Sequence, residues 1–154
     1  MNNDFEKQKK TFFENLTSHK IMVLSTSADS RVSSRTVSVI IHNGKFYFQT
    51  DENYLKFKQL SVNPNAAFCF DYYSVEGICK CIGKPTDDQN SFFIELFKEH
   101  FFASYELYSK LDTERLIEFT PKLIYCWGYD NSKPFIEYWD FENQKYSKEY
   151  QYGF

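Results

Sequence analysis

The sequence predicts a mainly β fold: a barrel or sandwich of mostly antiparallel strands with helices packed against it. Three observations predict it. The elements run helix, three strands, short helix, two strands, helix, two strands, without the regular strand–helix alternation of a doubly wound sheet. Adjacent strands are joined by segments too short for parallel crossovers. Aromatic residues make up 20% of the chain, with 17 Phe and 12 Tyr, which suits a β-rich core or a site that stacks on a planar ligand.

Each element has its own signal. Over residues 4–17, Phe5, Phe12, Phe13 and Leu16 fall at helical spacing with charges between them. Ile21-Met22-Val23-Leu24 is a short apolar run that suits a buried strand, and Ala28-Asp29-Ser30-Arg31 is a turn. Val32 to Ile41 is a strand rich in β-branched residues. His42-Asn43-Gly44-Lys45 follows it, and Phe46 to Thr50 resumes the strand. Asn-Gly between two such runs is the strongest short-range hairpin signal. Residues 54–61 form a short helix that ends before Asn63-Pro64. Ala66 to Tyr73 and Glu76 to Lys84 are strands. Thr86-Asp87-Asp88-Gln89 opens a helix with a capping-box pattern, and Phe92, Phe93, Leu96, Phe97 and Phe101 give it one apolar face. More helix continues through 103–111. Leu123 to Tyr129 and Phe135 to Phe141 close the chain as strands, and the aromatic, polar stretch Tyr146 to Phe154 carries no assignment.

The chain of 154 residues fits one domain, 1–154, long enough to bury roughly 68–70% of its unfolded surface without staples. A net charge of −3 argues against a broad nucleic-acid surface. No apolar run is long enough to span a bilayer. The polar, acidic start Met1-Asn2-Asn3-Asp4-Phe5-Glu6 does not read as a signal peptide. The expected location is therefore cytoplasmic, where Cys69, Cys79, Cys81 and Cys126 are expected as reduced core thiols.

The hairpin register can be derived. With Asn43-Gly44 as a two-residue turn, His42 faces Lys45, Ile41 faces Phe46, Val39 faces Phe48 and Val37 faces Thr50. Arg35, Val37, Val39 and Ile41 then share one core-directed face with Phe46, Phe48 and Thr50. A guanidinium on that face needs an anion, because unpaired burial is costly. Two partners are available: a carboxylate such as Glu52, or a bound phosphate. Asp51-Glu52-Asn53 leads into the short helix with Asn53 as N-cap, and Lys56 lies in its first turn. Arg35, Thr50, Lys56 and the helix amides thus converge on a possible phosphate site. Each charge-assisted hydrogen bond there would contribute on the order of 1.5–3 kcal/mol.

The ordered set Arg35-Thr36-Val37-Ser38, Lys45-Phe46-Tyr47-Phe48-Gln49-Thr50, Lys56, Gln59-Leu60, Asn63-Pro64, Ala66-Ala67-Phe68-Cys69-Phe70 and Gly83-Lys84 resembles the pyridoxamine 5′-phosphate oxidase-like, FMN-binding split-barrel family. The likeness covers about residues 5–86. It implies a split barrel that binds FMN. Arg35 and Lys56 would hold the phosphate, and Thr36, Val37 and Ser38 would line the isoalloxazine ring. Gln49 and Thr50 would contact the ring or the ribityl–phosphate region, with Gln59 nearby. It further implies a homodimer with the cofactor at the subunit interface, and an FMN-dependent oxidoreductase acting on a small molecule. The vitamin-phosphate oxidases carry a C-terminal arginine and histidine motif; here no Arg follows Arg115 and no His follows His100. A glutamine that touches flavin in those enzymes is replaced near Ile78. The resemblance therefore carries the cofactor but not the vitamin oxidation. A non-catalytic module binding flavin, or haem or a deazaflavin as elsewhere in the wider fold, is the alternative, and a barrel binding nucleic acid or protein through aromatics is a second.

Other motifs are weaker. Cys79-Lys80-Cys81 puts two thiols on one strand face, but a zinc site needs two more ligands, and His19, His42 and His100 are scattered. No Gly-rich phosphate loop or GxSxG elbow occurs. Trp127 and Trp139, on late strands, are read as core residues. No side chain stands out as a general acid or base, so no catalytic residue is assigned.

Overall fold

Two tight turns set the first three strands. Asp29-Ser30 and Asn43-Gly44 adopt positive φ at both residues (50° and 66°, 50° and 73°), the mirror-image turn whose twist matches that of its flanking strands. They join β1 (His19–Ala28) to β2 (Arg31–His42) and β2 to β3 (Lys45–Asp51). The computed structural model describes residues 3–151. Helix α1 (Asn3–Glu14) precedes β1, α2 (Leu55–Val62) follows β3, and the hairpin β4 (Asn65–Phe70) and β5 (Tyr73–Cys81) comes next. Helix α3 (Ser91–His100) leads through a short helical stretch over 102–109 into β6 (Glu114–Asp130), β7 (Lys133–Asp140) and β8 (Lys145–Tyr150).

All pairings are antiparallel, in the order β3-β2-β1-β4-β5-β6-β7-β8. Strand β3 pairs with β6 as well as β2, which closes a six-stranded barrel and leaves β7 and β8 as an extension. Alternation fills the barrel. Leu24, Val39, Phe46, Phe48, Phe68, Val75 and Phe119 are fully buried inside it. Phe46 and Phe119 stack at 5.7 Å, and Phe68 meets Phe119 edge-on at 4.8 Å. Phe5 and Phe12 of α1 join the same core, and Trp139 packs on Phe12 at 5.6 Å. On the opposite face, Ile40, Tyr47 and Leu116 bury against Phe93 and Phe97 of α3.

The predicted β2–β3 register holds for His42↔Lys45 and Ile41↔Phe46 and then stops after Ile40↔Tyr47. Val39 does not pair with Phe48, nor Val37 with Thr50. From Phe46 onward β3 takes β6 as its partner, from Phe46↔Phe119 to Asp51↔Glu114. The two strands of the hairpin part, and the barrel is split there.

Several elements differ from the sequence reading. Helix α1 ends at Glu14 rather than residue 17. The helix expected at Thr86 starts only at Ser91, after a 3₁₀ turn over Asp88–Asn90, because Asp87 accepts a hydrogen bond from the Lys84 amide at 2.9 Å instead of capping α3. Strand β6 begins nine residues before the predicted Leu123. The unassigned tail supplies β8; its last three residues, 152–154, lie outside the described residues. Trp127 is 53% exposed beside Tyr72 and Tyr129 rather than in the core. Cys79 and Cys126 are core thiols, whereas Cys69 and Cys81 are exposed. No helix of the described residues is long and apolar enough to cross a membrane.

Candidate functional site

Where β2 and β3 part, a cavity of about 260 Å³ opens between them. Thr36, Val37 and Ser38 line one wall, Gln49, Thr50 and Asp51 the other. Tyr54, Phe97, Ser104, Tyr108 and Glu114 complete it. The walls are strand edges without a ladder, so peptide groups face the gap. Larger hollows lie between β1, β4 and β5 and on the outer face of α1, but neither lies where β2 and β3 part.

Two cations near the cleft, Arg35 and Lys56, form no direct ion pair, although Glu114 and Asp51 act on Lys56 at longer range. Arg35 Nη1 donates to Thr26 Oγ1 at 2.8 Å and to the Leu24 carbonyl at 3.3 Å. Thr26 donates in turn to Gln59 Oε1 at 2.5 Å, and Gln59 Nε2 donates to the Arg31 carbonyl at 3.2 Å. This network fixes the guanidinium but gives it no negative charge. Lys56 lies over the Tyr54 ring at 5.1 Å. Among the described residues neither Arg35 nor Lys56 forms an ion pair with a carboxylate. Burial holds both below their ordinary pKa values, and the positive charge of Arg35 adds to the lowering at Lys56. Glu52, the carboxylate offered by the sequence as partner for Arg35, is taken by Arg115 at 2.9 Å.

The entry to α2 also differs from expectation. Asn53 is not the N-cap. Asp51 Oδ1 accepts from its amide at 2.8 Å and from its side chain at 3.0 Å. Tyr54 holds the cap position in extended backbone, and no side chain caps the helix. The first-turn amides of α2, beside Lys56, are therefore left for water or a ligand. Gln49 accepts from Ser109 at 2.7 Å, which leaves its own amide N–H groups uncommitted.

Of the eight residues singled out from the sequence, Thr36, Val37, Ser38, Gln49 and Thr50 line the cavity. Arg35, Lys56 and Gln59 do not line it: the charge of Arg35 reaches Lys56, and buried Gln59 is linked to Arg35 through Thr26. Sequence reasoning missed Asp51, Tyr54, Phe97, Ser104, Tyr108 and Glu114 as lining residues. No local pattern pointed to Glu114: Leu116, Glu118 and Thr120, which share its side of the strand, are of mixed polarity, and Pro121 obscured the strand itself.

The architecture is a closed antiparallel barrel split between β2 and β3, with Arg35 and Lys56 outside the cavity lining and in no ion pair among the described residues. The pyridoxamine 5′-phosphate oxidase family model matches residues 6–128, and the chain belongs to that family. Comparison with curated proteins returned no match. Solved structures share the fold. General stress protein 26 of Bacillus anthracis is 21% identical with a TM-score of 0.61, over 77% of this chain and 92% of its own. A pyridoxamine 5′-phosphate oxidase-related, FMN-binding protein of Nostoc punctiforme is 14% identical with a TM-score of 0.59, over 98% and 96%. The heme storage protein HutZ of Vibrio cholerae is 13% identical with a TM-score of 0.63, over 83% and 98%.

Proposed function

We propose that this chain binds FMN, with the phosphate at Arg35, Thr50, Lys56 and the first turn of α2, and serves a redox reaction on a small molecule. The observation that carries this reading is that Arg35 and Lys56, which act on each other, form no ion pair among the described residues, with Glu114 and Asp51 reaching Lys56 only beyond ion-pair distance. Two like charges held partly out of water are costly, and a phosphate dianion offsets that cost for both. In this reading Thr36, Val37 and Ser38 offer their strand edge to the isoalloxazine ring, and Gln49 offers its free amide. Gln59 acts through Thr26 to hold Arg35 in place. When bound, the flavin supplies the electron-transfer chemistry, and these residues bind and orient it. No residue is assigned a catalytic role.

Family membership and the FMN-binding protein of Nostoc support flavin. The haem alternative asks for an axial ligand, and of the usual ones only tyrosine lines the cavity. Calorimetric titration of the flavin-free protein with FMN and with riboflavin tests the reading, and FMN is expected to bind much more tightly. Equal affinities would sink the phosphate anchor, and haem released from the purified protein would replace flavin altogether.

The same reading includes a homodimer. A cavity of about 260 Å³ is below the roughly 300–1,000 Å³ usual for a whole small-molecule site, so part of the ligand lies beyond it. The outward face of β2, β1, β4 and β5 supports a covering copy. Ile21, Val23 and Ile78 are exposed there among Ser34, Thr36, Ser38, Ala67 and Cys69, with Glu76 and Lys80 of β5 the charged residues. Thr36 and Ser38 belong both to that face and to the cavity wall.

A further inference from the structure

Glu114 opens β6 opposite Asp51 of β3 and lines the cavity. It is 4% exposed. Its backbone is satisfied: its amide donates to the Leu111 carbonyl at 3.1 Å, and its carbonyl accepts from Arg115 at 2.9 Å. Its carboxyl makes no hydrogen bond or ion pair with any described residue. The other buried polar side chains (Thr26, Thr50, Gln59, Asn90 and Ser109) all have partners. Among the described residues Trp139 Nε1 is the one fully enclosed polar side-chain atom without a partner; the Glu114 carboxyl also lacks a protein partner, but it opens onto the cavity whose wall it forms.

Its surroundings set its charge. Asp51 faces it from β3 and Lys56 from α2, with Arg35 of β2 beyond Lys56. Tyr54 and the helical stretch's Tyr108 share the cavity. Arg115, next along β6, is tied to Glu52. Burial and the charge of Asp51 push the Glu114 carboxyl up to about 7, against the pull of Lys56. A phosphate drawn to Lys56 and Arg35 would bring further negative charge beside it. An ionised Glu114 would repel that phosphate, whereas the neutral acid can donate a hydrogen bond to one of its oxygens.

We propose that Glu114 binds the phosphate of the ligand as its neutral acid, so that docking of the ligand takes up one proton from solvent at this side chain. The proposal rests on the FMN reading above and adds to it a pH control that reads the phosphate rather than the ring.

The test is FMN titration of the flavin-free full chain at pH 8 in two buffers of different ionisation enthalpy, which counts protons. At that pH the phosphate, with its second pKa near ~6, is already a dianion. The wild type should take up close to one proton, and its FMN affinity should fall roughly tenfold per pH unit above about 7. Glu114→Gln keeps a neutral hydrogen-bond donor and should bind FMN without uptake and with a flat profile from pH 7 to 9. Riboflavin should bring no proton to either protein. Proton-free FMN binding by the wild type would overturn the role of Glu114 and leave the FMN site standing. A pH-dependent fall that persists in Glu114→Gln would belong to Lys56 and would overturn it too. Failure of the wild type to prefer FMN over riboflavin would overturn both readings.

Discussion

At Arg35 the hydrogen bonds are local and the charge is unmatched. Its two acceptors, Thr26 and the Leu24 carbonyl, are neutral, and its charged neighbour Lys56 repels it. Arg35→Ala therefore removes a ligand contact without breaking an ion pair. FMN affinity should fall thirty- to several-hundred-fold, or about 2–4 kcal/mol. Stability of the flavin-free protein should stay within about 1 kcal/mol of wild type or rise. Denaturant midpoints measured beside affinities check this; lost stability with intact binding would make Arg35 a structural residue. Arg35 was legible in the sequence because a charged residue broke an apolar, period-two face. Its partner was not legible. Choosing between Glu52 and phosphate required seeing Glu52 bound to Arg115, a residue from a strand 63 positions later in the chain. Glu114 was hidden altogether, since nothing local marks a carboxyl as buried when the strand that carries it goes unrecognised.

At the scale of elements, β6 explains both the closure and the error about it. Its first half pairs with β3 and β5, and its second half with β5 and β7. Pro121 falls in the middle of this 17-residue strand, where a proline argues against a central position. The conflict is resolved by a bulge. Glu76 pairs with Leu123 and Gly77 with Pro121, so Lys122 is left out of the β5 ladder and its carbonyl accepts from Phe141 instead. The bulge brings the backbones so close that a Cβ on Gly77 would lie 2.3 Å from the Thr120 carbonyl and 2.6 Å from the Phe119 ring. Gly77→Ala should therefore destabilise the protein by about 1–3 kcal/mol, read as a lower urea midpoint; an unchanged midpoint would mean that the bulge relaxes freely. The hairpins, by contrast, were legible because Asn43-Gly44 specifies its turn locally.

For the molecule as a whole, the outward face of β1, β2, β4 and β5, where apolar side chains lie exposed beside Glu76 and Lys80, is the feature that the sequence left unread. Alternation told which residues of β1 leave the core, but not that Ile21, Val23 and Ile78 would form one continuous surface with the rim of the cavity. Ile21 is 61% exposed and contributes little to the core, so Ile21→Lys should leave folding intact. It should convert a dimer into a monomer in sedimentation equilibrium at micromolar protein and weaken FMN binding with it. A variant that remains dimeric would move the interface elsewhere.

The parting of β2 and β3 after Ile40 and Tyr47 has a further consequence, for how such a chain can change over time. Main-chain donors and acceptors on those edges have the same chemistry whichever side chain accompanies them. Replacing Thr36, Val37 or Ser38 with almost any residue keeps them, and only proline deletes a donor. A gap made in this way is inherited with the fold itself, so its side chains are free to drift while its row of main-chain donors and acceptors persists.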